Sequence, residues 1–163
     1  MINNKHEFIQ MIKINEGIIF KITKVYTNQM EDQKDLYQEI VFQLWKSFES
    51  FKGNAKRSTW LYRIALNTSI TYLKKSKKNR SRAFTDFEIQ NIKEERDEAK
   101  EERMEVLYTH IRKLNDIEKG IILLYLEGKN YEEIAMITGF SKTNVGTKLG
   151  RIKERLRKLI LKV

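Results

Sequence analysis

The sequence predicts an all-α chain of two small helical domains joined by a flexible linker, the second a helix-turn-helix domain. Three observations carry this. Apolar residues recur in steps of three and four, strand-like alternation is nowhere sustained, and proline is absent. Charge falls in blocks: within a formal net charge of +10 over 163 residues, segment 1–75 holds +5, segment 76–105 holds −1 and segment 106–163 holds +6. Segment 83–105 is rich in acids and poor in apolar side chains, so it cannot bury enough surface to fold alone. The expected division is 1–77, a linker over 78–103, and 104–163.

In the first domain, Phe8, Ile12, Ile19, Ile22 and Val25 recur at helical spacing, with Gly17 a weak point among them. A polar stretch at 27–34 breaks the pattern. Residues 35–48 form an amphipathic helix with Leu36, Tyr37, Ile40, Val41, Leu44, Trp45 and Phe48 as its apolar stripe. Asp35, Gln38, Glu39, Gln43 and Lys46 line its other face. Residues 51–58, containing Gly53-Asn54, read as a loop, and Ser58 or Thr59 is placed to cap the helix over 60–75. That helix sets Leu61, Ile64, Ala65, Thr68 and Tyr72 along one side and Arg63, Asn67 and Lys74 along another. Trp45 and Trp60 read as core residues. Segment 74–82 carries six basic residues in nine, a phosphate-attracting cluster, and 89–103 is compatible with a solvated helix inside the linker.

The second domain opens near Met104, where Val106, Leu107, His110, Ile111 and Leu114 form an amphipathic segment with His110 on its apolar side. Residues 116–126 form the next helix, with Gly128 placed to end it. A helix of about eight residues from Tyr131, a turn at Gly139-Phe140-Ser141 and a basic helix over 142–163 then make a helix-turn-helix pattern. Ile134, Ala135 and Ile137 point inward. Gly139 supplies a positive φ, and Ser141 accepts from the next helix's free N–H groups. Glu132-Glu133 sits where the helix dipole favours acids. Val145, Leu149, Ile152, Leu156 and Ile160 run down the inner face of the last helix. Lys142, Thr143, Asn144, Thr147, Lys148 and Arg151 are left outward near its N-terminal half, and these residue types contact phosphates and base edges in a major groove.

Composition excludes several classes of chemistry. With no cysteine there is no disulfide, thiol nucleophile or thiolate metal site, and His6 and His110 lie 104 positions apart, leaving no compact His-based zinc motif. Segment 9–20 is interrupted by Gln10, Lys13, Asn15 and Glu16, unlike a signal peptide, and no run approaches the ~18 apolar residues of a membrane span. The expectation is a cytoplasmic chain with no metal, no cofactor and no membrane insertion, whose positive charge points to a polyanionic partner.

The order Asp35-Leu36-Tyr37-Gln38-Glu39, Leu44-Trp45, Phe51-Lys52-Gly53 and Trp60-Leu61-Tyr62-Arg63-Ile64-Ala65-Leu66-Asn67 resembles region 2 of bacterial RNA polymerase sigma factors. It is most similar to the sigma-70 family's small, two-domain extracytoplasmic-function (ECF) group. Leu114, Tyr131-Glu132-Glu133-Ile134-Ala135, Gly139, Val145, Leu149 and Arg151 resemble region 4 of the same group. The resemblance implies a non-catalytic factor that confers promoter recognition and DNA melting on core RNA polymerase for transcription initiation. It implies that Asp35, Gln38, Glu39 and Gln43, with Phe42 beside them, dock on the β′ clamp helices, acid and amide groups being complementary to an arginine-bearing helix. The loop carrying Lys52, Asn54, Lys56 and Arg57 is the implied capture site for a base flipped from the −10 element of promoter DNA. Arg63 and Asn67 match positions that touch the melting strand. The outward residues from Lys142 to Arg151 are then the −35 readers, and the second domain also binds the β flap. An anti-sigma factor is a further partner that the resemblance admits. The chain departs from the family at Leu66, where Arg is frequent, at Thr71 and Tyr72, where Asp and Arg are frequent, and at Asn144 and Gly146 in the recognition helix.

Two other classes compete. A stand-alone helix-turn-helix regulator accounts for the second domain but leaves the 35–67 pattern as coincidence, and it predicts tight operator binding without polymerase. A nuclease or recombinase needs clustered carboxylates for Mg²⁺ or a poised nucleophile, whereas the acids here sit in the linker and on helix faces.

Overall fold

The computed structural model describes residues 2–51, 53, 55–80 and 98–161, and among these it contains seven α-helices and no strand. They are α1 (Ile2–Tyr26), α2 (Met30–Phe48), α3 (Arg57–Arg80), α4 (Glu98–Ile111), α5 (Asp116–Leu126), α6 (Tyr131–Thr138) and α7 (Lys142–Leu161). Helices α1, α2 and α3 pack on one another; α7 packs on α4, α5 and α6; and between the two groups α1 meets α4 and α5 while α3 meets α5 and α6.

Gly17 does not break α1. A helical glycine costs about 1 kcal/mol, less than is gained by burying Phe8 and Met11 before it and Ile19, Ile22 and Val25 after it. The polar stretch at 27–34 interrupts the helices only over 27–29, because α2 begins at Met30 with Glu31 and Asp32 in its first turn, where the dipole favours acids. Helix α3 starts at Arg57, so Ser58 and Thr59 lie inside its first turn instead of capping it. It runs to Arg80, past residue 77, and α4 begins at Glu98, inside the expected linker. Segment 81–97, the bulk of that linker, lies outside the described residues.

Most of the predicted stripes are buried: Leu36, Ile40, Leu44 and Phe48 on α2, Leu61 and Ala65 on α3, Ile134 and Ile137 on α6, and Val145, Leu149, Ile152 and Leu156 on α7. Three predicted core residues differ, one of them Val106 on α4, which is 49% exposed. Trp45 is 43% exposed, its ring edge-on to Phe8 at 4.9 Å, because α1 covers only one side of it. Ile160 is 40% exposed, one turn beyond the last buried residue of α7. Trp60 is half-buried against Phe48 and Phe51. His110 is buried on the apolar side of α4, and its Nδ1 has no hydrogen-bond partner among the described residues.

Helix α3 is also buried along a second stripe, Tyr62, Leu66 and Ser69, beyond the one its periodicity announces. The cover there includes α5, where Gly120 lies against Tyr26 and Leu66: a Cβ on Gly120 would stand 3.0 Å from Tyr26 Oη and 3.4 Å from both Leu66 δ-carbons. Tyr26 donates its hydroxyl to the carbonyl of Asp116 at 2.6 Å, Arg112 Nε donates to the carbonyl of Lys24 at 2.9 Å, and Lys21 pairs with Glu127 at 2.8 Å. Burial drives the Tyr26 phenol far above its ordinary pKa, and burial with the nearby Glu127 carboxylate raises that of Tyr62 to about 12.

Candidate nucleic-acid interface

The helix-turn-helix is assembled by local hydrogen bonds. At both Asn115 and Asn130 a capping box closes: each amide oxygen accepts from the backbone N–H three residues on, and Glu118 or Glu133 accepts from the cap's own N–H. Each such cap contributes about 1 kcal/mol. Gly139 ends α6 at φ +84°, as the turn requires, and Ser141 Oγ accepts from Asn144 N at 3.1 Å to start α7.

With Val145, Leu149, Ile152 and Leu156 committed to the core, the opposite side of α7 faces out. Lys142, Thr143, Asn144, Thr147 and Arg151 are exposed, and Lys148 is half-buried with its ammonium 4.9 Å from the Phe140 ring centroid. Thr147 Oγ1 donates to the carbonyl of Thr143. Lys142 pairs at 3.0 Å with Glu132, so one acid borders the basic face. Gly146 leaves room for the Tyr131 ring, 3.3 Å from where a Cβ would stand, and so brings α6 close against α7.

The α3 edge presents Arg63 and Asn67 side by side, both exposed, with Lys56 and Arg57 at the helix start. Arg57 lies over the Phe48 ring, 5.9 Å from its centroid. Lys52 and Asn54, expected in the same loop, lie outside the described residues. Arg63 and Lys56 also reach across to α6: Arg63 donates to the carbonyl of Met136, and Lys56 stands 4.0 Å from Glu133. Sequence reasoning did not pair these residues, since no local pattern connects positions so far apart.

On α2, Asp35, Gln38, Glu39 and Phe42 are exposed and Gln43 is half-buried, its amide donating to Glu39 at 2.9 Å. Beside this face a groove of about 440 Å³ opens between α1 and α2, with Ile9, Gln38, Phe42 and Trp45 among its lining residues. Ile9 and Trp45 were not among the sequence's site residues; the spacing of Ile9 from Phe8 and Ile12 places it on the flank of its stripe. The two capping boxes were legible as Asn-x-x-Glu. Among the described residues no group of three or more His, Asp or Glu side chains is placed to hold a metal, and no helix is long and apolar enough to cross a membrane.

Two family models match the chain: Sigma-70 region 2 over residues 11–79 and Sigma-70, region 4 over residues 104–156. RNA polymerase sigma factor YlaC of Bacillus subtilis is 29% identical over 141 residues, covering 83% of this chain and 82% of the relative. The ECF RNA polymerase sigma-E factor of Escherichia coli is 31% identical over 137 residues, covering 77% and 72%. The sigma factor RpoE of Bartonella quintana, solved with the anti-sigma factor NepR, shares the fold at a TM-score of 0.74 and 17% identity, covering 94% of this chain and 96% of that one.

Proposed function

Because this chain belongs to the sigma-70 family, in its extracytoplasmic-function group, we propose a division of labour among its helices within promoter recognition and transcription initiation by core RNA polymerase. Residues 1–77 dock on polymerase and handle the −10 element, residues 104–163 read the −35 element, and 78–103 sets their spacing. The chain acts by binding, without a catalytic step, in the cytoplasm where its polymerase works.

The exposed face of α2 docks first. Asp35, Gln38, Glu39 and Gln43 present oxygen acceptors and an amide donor to the β′ clamp helices, and Phe42 adds apolar area. Arg63 and Asn67 then hold the melting strand through charge-assisted and amide hydrogen bonds, with Lys52, Asn54, Lys56 and Arg57 supplying the base-capture loop. Capture of an extruded base lowers the cost of unpairing, so melting needs no ATP. The free outer face of α7 enters the major groove at −35 while the same domain engages the β flap. An anti-sigma factor is a further partner, in keeping with the Bartonella fold relative.

The observation that carries this reading is the coexistence, on one chain and in family order, of an open acid-and-amide face on α2 and an open basic face on α7. A stand-alone regulator leaves the region 2 match without an account. Run-off transcription with purified core polymerase on genomic fragments tests it. Discrete transcripts that require the chain are expected, and their absence together with independent elution of chain and core on sizing overturns the reading.

A further inference from the structure

Most glycines in this chain answer to the fold. Gly139 ends α6 at a positive φ, and Gly120 and Gly146 make room for Tyr26, Leu66 and Tyr131. Gly150 answers to nothing inside the protein. It lies in the middle of α7 with helical backbone, it is exposed, and a Cβ there would meet nothing within 4 Å. Glycine is among the least favourable residues for a helix interior, so α7 is less stable with Gly150 than it would be with alanine. Thr147 stands one turn before it and Thr143 two turns before, both exposed, and the exposed Arg151 follows it. One turn further on, Glu154 pairs with Lys158 at 3.6 Å. Gly150 therefore sits on the face assigned to the −35 element, within the residues matched by region 4, and leaves that face bare of side chain at one point.

We propose that Gly150 is where duplex DNA comes closest to α7, and that its missing side chain sets how deeply the helix sits in the major groove. Without a Cβ the helix backbone can pack directly on the wall of the groove, and a side chain at that point acts as a spacer. Seating at Gly150 brings Thr143, Thr147 and Arg151 within hydrogen-bonding reach of the DNA, and those contacts fail if the helix is held off by even about 1 Å. At the next turn Lys158 offsets the charge of Glu154, which would otherwise repel the phosphates. Gly150 is a positioning residue, since it reads no base and neutralises no charge itself. The inference rests on the assignment of the outer face of α7 to the −35 element. Gly17, a second helical glycine with open space where its Cβ would stand, lies on α1 away from every face assigned to DNA and serves as the control.

The test uses holoenzyme assembled from the full chain and core polymerase, with a fluorescein-labelled duplex carrying a promoter mapped by run-off transcription. A second duplex has its −35 segment replaced. Gly150→Ala, Gly150→Leu and Gly17→Ala are compared with the unaltered chain. Both alanine variants are expected to raise the midpoint of urea denaturation, because each replaces a glycine inside a helix. Only the variants at position 150 are expected to weaken binding of the promoter duplex, by about five-fold for alanine and about thirty-fold or more for leucine, the range of lost base contacts. On the duplex with the replaced −35 segment, all chains should bind within about two-fold of one another, since base contacts carry the difference. If Gly150→Leu fails to fold, Gly150→Ala decides alone. Promoter binding by Gly150→Ala as tight as that of the unaltered chain overturns the inference, as does an equal loss in Gly17→Ala or on the replaced duplex. A lower urea midpoint for Gly150→Ala overturns it too, by giving the glycine an internal role. If the unaltered chain does not distinguish the two duplexes, the −35 assignment fails instead, which keeps the two failures apart.

Discussion

Arg63 on α3 donates its guanidinium to the backbone carbonyl of Met136 on α6, 73 positions further along the chain. The acceptor is main chain, so the bond depends on where α6 lies and not on the identity of residue 136. One side chain therefore carries both a proposed DNA role and one of the contacts between the domains.

Arg63→Ala and Asn67→Ala are expected to lower open-complex formation by about tenfold or more, the range of a lost hydrogen bond to a charged group. Core binding should stay within two-fold, since neither residue is on α2. Permanganate footprinting against sizing of the holoenzyme separates the two effects, and an equal loss of both would contradict the assignment.

Replacing Asp35, Gln38 and Glu39 together by Ala should weaken core association by about tenfold or more while leaving the helical signal intact, because all three side chains are exposed. Unchanged affinity in a binding titration would place the docking face elsewhere.

Duplex binding through α7 should weaken with salt. Lys148→Ala or Arg151→Ala should make the log–log salt slope less negative by about 0.9 for each phosphate no longer neutralised. A slope identical to wild type would show that the residue pairs with no phosphate.

Leu149, fully buried on the inner face of α7, should cost about 2–5 kcal/mol on change to Ala through lost burial and the cavity left behind. Asn130→Ala should cost about 1 kcal/mol, the value of one capping box. Urea denaturation followed by circular dichroism checks the order of the two.

The domain contact should fail in alkali. Tyr26, Tyr62 and Lys21 all hold their protons more tightly in the folded chain than in the unfolded one, the tyrosines through burial and Lys21 through its bond to Glu127. Their folded pKa values are raised, so the contribution is complete below about pH 10 and declines as pH rises through the folded values, about 12 for Tyr62. The contact, followed by energy transfer between a dye on each domain, should be flat from pH 7 to 9 and fall above 10. A fall beginning near neutrality would point to other groups.

Local chemistry made much of the fold legible in the chain. Asp116–Leu126 begins and ends where its apolar run and Gly128 place it, and the turn at Gly139 and the cap at Ser141 form as their residue types require. Where local propensity was weak or an expected burial did not form, packing decided the outcome. Gly17 is carried through a helix whose flanking turns are anchored, and Trp45 is left half open because α1 does not extend across it.

By itself, the sequence determined which faces are apolar, which are charged and where short-range caps and turns fall, because each depends on residues within a few positions of one another. From those came the helices, the helix-turn-helix and the outward residues of α7. Only the tertiary structure decided that Tyr62 and Leu66 form a second buried stripe, that Gly120 admits Tyr26 and Leu66, and that Arg63 and Lys56 meet α6. Those pairings join positions tens of residues apart, and no periodicity encodes them; they follow from how two amphipathic bodies bury what each leaves uncovered.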